Sequence, residues 1–134
     1  MNMRRKATIR ILGSIIGLTL IIVILSVFSQ RFLYNGSQQM KQSLDSVETS
    51  VGSNNWTQAD TQLTQMISSW SGVKGFWSAL IDHQEIDNID ETLARLQMFI
   101  KGKDNASALA EAAALKKFII HIPEKEKPSM ENIF

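Results

Sequence analysis

Between Arg10 and Arg31 the chain carries no charged side chain, and residues 11–28 read ILGSIIGLTLIIVILSVF. A segment apolar on every side has no face to turn toward water, and about 20 helical residues rise about 30 Å, the thickness of a bilayer's hydrocarbon core. The sequence therefore predicts a transmembrane helix over residues 11–30. Arg4, Arg5, Lys6 and Arg10 precede the run, whereas only Arg31 closely follows it. Because basic residues stay on the cytoplasmic side, residues 1–10 are expected in the cytoplasm and everything after the single pass outside it, at the cell membrane. A cleaved signal peptide shares the basic start, and Val27-Phe28-Ser29 offers a cleavage site. The run is longer than the usual apolar core of a signal, which favours a retained anchor. Gly13 and Gly17 form a Gly-x-x-x-Gly pair that would let two such helices approach closely, a route to a homo-oligomer through the anchor.

What remains is enough for one small domain. The chain has 134 residues and 44% hydrophobic content, part of it concentrated in that run. There is no cysteine, which excludes disulfides, thiolate metal ligands, a Cys nucleophile and a lipid-bearing cysteine. The net charge of +1 conceals an asymmetry: the first acidic residue is Asp45, and from Arg31 onward ten basic residues face thirteen acidic ones. A soluble part of that sign lacks the clustered basic face that nucleic acid requires, so no nucleic-acid partner is expected.

Periodicity predicts an all-α fold, a small antiparallel helical bundle over residues 37–122 with a tail over 123–134. After a turn signal at Tyr34-Asn35-Gly36, Met40, Leu44, Val47 and Val51 mark one helical face. Gly52-Ser53-Asn54-Asn55 breaks it, with Asn54 or Asn55 suited to cap the next helix. Trp56, Leu63, Trp70 and Trp77 then recur every seven residues, with Ala59, Met66, Val73 and Leu80 beside them. Ser71-Gly72 and Gly75 predict a break near Gly72 that separates a second helix from a third. Ile86, Ile89, Leu93, Leu96 and Ile100 form a further stripe, ended by Lys101-Gly102-Lys103-Asp104-Asn105. This stripe lies on a different face from Trp77 and Leu80, so either a turn capped by Asp82 falls at residues 82–85 or one helix runs through and changes neighbours. The continuous helix is the reading favoured here. A last helix from about Asn105 to His121 presents Ala108, Ala112, Leu115, Ile119 and Ile122 until Pro123 stops it. Trp56, Trp70, Leu93, Leu96, Leu115 and Ile119 are expected in the core.

Several of these features together resemble a known family. Trp56, Trp70 and Trp77, the run Leu80-Ile81-Asp82-His83-Gln84-Glu85-Ile86-Asp87, then Leu93-Ala94-Arg95-Leu96, His121-Ile122 and the terminal Asn132-Ile133-Phe134 are similar to a domain-of-unknown-function family of small single-pass proteins from Gram-positive, often spore-forming bacteria. The resemblance implies a bacterial cell-envelope protein encoded beside another small membrane protein. It implies no activity, substrate or catalytic residue. In such a protein the glycosylation sequons at Asn35, Asn55 and Asn105 are coincidental, and Asn55 and Asn105 read as helix caps.

The one concentration of reactive side chains is Asp82, His83, Glu85, Asp87, Asp90 and Glu91. Helical spacing puts His83, Asp87 and Asp90 on one face, an imidazole and two carboxylates that can offer ligands to a metal, with His121 a remote second imidazole. A solvated acidic face, with the His83 ring partly covered by a neighbouring helix and hydrogen-bonded to Asp87, accounts for the same residues. The tryptophans can form a ligand surface, but heptad spacing reads more simply as core. No phosphate loop and no nucleophile elbow is present, so neither an enzyme nor a cofactor is expected. Two functions stay open: a membrane-anchored interaction module that meets another membrane or envelope protein, and a metal- or pH-sensing domain built on the His83 cluster.

Overall fold

The computed structural model describes residues 2–125, with side chains from residue 5 onward. The terminal Asn132-Ile133-Phe134 and most of the expected tail lie outside the described residues. The chain is all-α: α1 (Asn2–Gly52), α2 (Trp56–Trp77), α3 (His83–Lys101) and α4 (Asn105–Lys125). It divides into two compact units, Met1–Phe32 and Leu33–Phe134, with the boundary inside α1.

In the first unit, the apolar side chains of α1 stand exposed on all faces, from Ile11 and Leu12 through Leu25 to Phe28. The most apolar stretch of α1 has a mean hydropathy of 2.8 and none of it is buried, so it is long and apolar enough to cross a membrane.

The second unit is a bundle of the rest of α1 with α2, α3 and α4. Cross-helix contacts fix its register. Ser50 donates to Gln62 and Gly36 meets Trp77, so α1 and α2 run antiparallel. Trp70 donates to Asp90 between α2 and α3, and Arg95 reaches Glu111 while Lys125 reaches Glu85 between α3 and α4. Asn105 beside Val51, and Lys116 beside Asp45, bring α4 back antiparallel to α1. The core is one stripe from each helix: Leu33, Met40, Leu44, Val47 and Val51; Ala59, Leu63, Met66, Trp70 and Trp77; Ile86, Ile89, Leu93, Leu96 and Ile100; Ala108, Ala112, Leu115, Ile119 and Ile122. Each fully buried Leu or Ile contributes about 1.5–3 kcal/mol.

Four expectations about where helices break or stop are corrected. Helix α1 runs straight through Tyr34-Asn35-Gly36. Leu33 and Ser37 continue the buried stripe one turn earlier, and the missing side chain of Gly36 makes room for Trp77, since a Cβ there would lie 2.9 Å from the indole Cζ2. Helix α2 also passes unbroken through Gly72 and Gly75, and no glycine has positive φ. Each glycine costs a helix about 1 kcal/mol, less than burial of the seam from Trp70 to Trp77 returns. The break comes later instead. α2 ends at Trp77, and Asp82, in extended conformation, caps α3 by accepting from the Gln84 N–H at 3.0 Å, so the continuous helix through residues 82–85 is overturned. Lastly, Pro123 lies inside α4. Its ring is buried next to Ile122, and that burial offsets the hydrogen bond the imide cannot donate to the preceding turn.

Asn55 caps α2 as expected. At α4 the cap is Asp104, which accepts from the Ser107 N–H at 3.1 Å. Asn105 is displaced into the helix, where its amide ties the loop after α1 by donating to the Val51 carbonyl at 2.7 Å and to Asn54 at 3.2 Å. Trp56 is half-buried rather than core, because it opens α2 at the end of the bundle.

Candidate interaction surface

The acidic segment does not converge on a common point. Asp82 is occupied as the α3 cap. His83, the first residue of that helix, is exposed, and so is Asp87 one turn on, which corrects the expectation of a ring covered by a neighbouring helix. The first turn of a helix that starts a new chain direction has no preceding turn to shield it. Glu85 pairs with Lys125 of α4 at 2.5 Å. Asp90 alone on that face turns inward: it accepts from the Trp70 indole N–H at 2.7 Å and pairs with Lys74. Among the described residues no three His, Asp or Glu side chains are grouped to hold a metal ion. His121 is exposed in a groove between α3 and α4 that it shares with Gln84, Asn88 and Lys117, its Nδ1 3.7 Å from Glu124.

The charged side chains instead tie helices together. Lys116 of α4 lies 2.6 Å from Asp45 and also pairs with Glu48, both on α1, while Lys41 approaches Asp45 at 2.9 Å. Lys116, and after it Lys41, hold the Asp45 carboxyl below its usual value, and Asp45 and then Glu48 hold the Lys116 ammonium above its own. Arg95 bridges Glu91 of its own helix at 2.6 Å and Glu111 of α4 at 3.0 Å, and also donates to Thr92. The i, i+4 members of these sets are legible in sequence; the partners on other helices are not, because no local spacing records which helices become neighbours. The Trp70–Asp90–Lys74 clamp, the best-connected use of the acidic segment, was missed for that reason.

One face is different in kind. Between α1 and α2 runs a groove of about 310 Å³ lined by Ser43, Ser46, Gln62, Gln65, Met66 and Ser69, with no charged side chain. It is adjoined by a smaller, more enclosed recess of about 60 Å³ at Gly36, Gln39, Met40 and Val73. Its three serines and two glutamines supply donors and acceptors along the walls of the larger groove. In the first unit, Gly13 and Gly17 have open space where a Cβ would stand.

Fold and surface together define a class: an all-α protein in which one long apolar helix continues into a packed helical bundle with a neutral groove. The chain belongs to the DUF4363 family, described as a domain of unknown function, which matches residues 27–133. No curated protein matches the chain, and no solved structure does.

Proposed function

We propose that this chain is a membrane-anchored, non-enzymatic interaction module of a bacterial cell envelope: residues 11–30 span the membrane, and the bundle outside the cytoplasm binds another membrane or envelope protein. The observation that carries the anchor is the apolar stretch with hydropathy 2.8 and no burial, behind a basic flank. Water cannot solvate that surface at such length, and lipid can. The groove between α1 and α2 supports the second half. Its neutral lining of serines, glutamines and one methionine suits a partner helix with Ser, Thr, Asn or Gln on its facing side, which can exchange hydrogen bonds with it. Lys74, Arg95, Lys116 and Lys125 are already engaged in pairs that hold the bundle together.

Two experiments test this. With no native cysteine, Met98→Cys should react with a membrane-impermeant maleimide in intact cells while Lys6→Cys should not; the reverse pattern would refute the topology. A photocrosslinker at Ser46 or Gln65 should then capture an envelope protein that the same group at Lys101 does not.

A further inference from the structure

The bundle begins almost where the apolar run ends. Leu33, 3% exposed and part of the core, is five residues beyond Phe28. Helical residues advance about 1.5 Å each, so the spacer is about 7.5 Å, close to the depth of the headgroup layer, which is about 5–7.5 Å on each side of the hydrocarbon core. The end of the bundle that holds Leu33 also holds the end of α2, because Gly36 packs on Trp77. Two large side chains stand exposed there, Tyr34 at 55% and Phe76 at 44%. Of the carboxylates at this end, Glu85 is paired with Lys125 and Asp90 with Lys74, Asp82 is engaged as the α3 cap, and Asp87 is exposed. A tyrosine ring with its polar hydroxyl partitions to the headgroup level of a bilayer, and an exposed phenylalanine at the same end adds apolar surface that the acyl boundary can cover.

We infer that this end of the bundle rests in the headgroup layer of the membrane, with Tyr34 and Phe76 as its interfacial anchors. The inference depends on the anchored reading above. Tyr34 would lie near lipid simply by following the span, so Phe76 is the informative position: it belongs to α2 and reaches the membrane only if the folded bundle is seated on it. The absence of native cysteine allows single spin labels to be placed in the full chain at Ile21, Phe76 and Met98. Reconstituted into vesicles of phosphatidylcholine and phosphatidylglycerol, each variant reports depth as its accessibility to oxygen relative to a water-soluble nickel chelate. The expected order is Ile21 highest, Phe76 several-fold above Met98, and Met98 fully aqueous. Should Phe76→Cys fail to fold, Gly75→Cys reads the same end, since an added Cβ there meets open space. A Phe76 label as aqueous as Met98, with Ile21 in hydrocarbon, overturns the seated bundle and leaves the anchor standing. An aqueous Ile21 overturns both.

Discussion

The two halves of α1 have the same backbone and opposite surroundings. Residues 11–28 carry large apolar side chains on every face and bury none of them, whereas from Leu33 to Val51 the buried positions Leu33, Ser37, Met40, Leu44, Val47 and Val51 recur at alternating steps of four and three. Helix formation does not distinguish these segments; the angular distribution of hydrophobicity does. An all-round apolar surface requires a solvent that is apolar all round, and a one-sided stripe requires partner helices on that side only. The difference also separates two kinds of glycine. Gly13 and Gly17 have nothing within 4 Å of an added Cβ, while at Gly36 the same atom would press on the rigid indole of Trp77.

The largest expected effect probes that contrast in burial. Leu115→Ala, at 0% exposure in the bundle, should lower stability by about 2–5 kcal/mol in thermal melting of the full chain, whereas Ile21→Ala should leave the bundle transition in place. Equal shifts would mean that the two units melt as one body and the contrast is false. Next comes Asp90→Ala, which strands the Trp70 indole N–H and frees Lys74; a loss of about 1–3 kcal/mol is expected, with Asp90→Asn recovering most of it because the amide oxygen still accepts. If Asn is as damaging as Ala, the ion pair rather than the indole bond is the active contact.

Gly36→Ala should cost about 1 kcal/mol, the crowding against Trp77 exceeding the gain in helix propensity. Gly72→Ala, in open space on α2, should instead stabilise by up to about 1 kcal/mol, and a Gly36→Ala variant that melted higher would show that Trp77 can yield. The smallest effect concerns pH. Asp45 has a folded-state value below its ordinary 3.8, so its stabilisation is complete above that value and is lost as pH falls through the lowered one. Lys116 is raised above 10.5, so its contribution holds below 10.5 and disappears only as pH rises through the folded-state value. This pair should leave melting flat through neutral pH and add an acid-side decline. Lys116→Met should cost about 0.5–1 kcal/mol at neutral pH and flatten that decline, as befits partly exposed pairs. An unchanged acid limb would assign the decline to other carboxylates.

Much of this was decided by local pattern, and the exceptions share a cause. The stripes at Met40–Leu44–Val47–Val51 and Ile86–Ile89–Leu93–Leu96–Ile100, the Asn55 cap and the all-round apolar run at residues 11–28 follow from the order of residues, because helical periodicity and capping act within a turn or two. What only the tertiary structure decided is where the helices do not break. Tyr34-Asn35-Gly36, Gly72 and Pro123 are turn or stop signals by propensity, yet each lies inside a helix, since intrinsic preferences of about 1–3 kcal/mol yield to burial of the stripe on either side. The candidate polar site turned on the same limit. Spacing correctly put His83, Asp87 and Asp90 on one face, but whether a carboxylate on that face meets water or Trp70 depends on which helix packs beside it, and that is a long-range fact no local spacing contains.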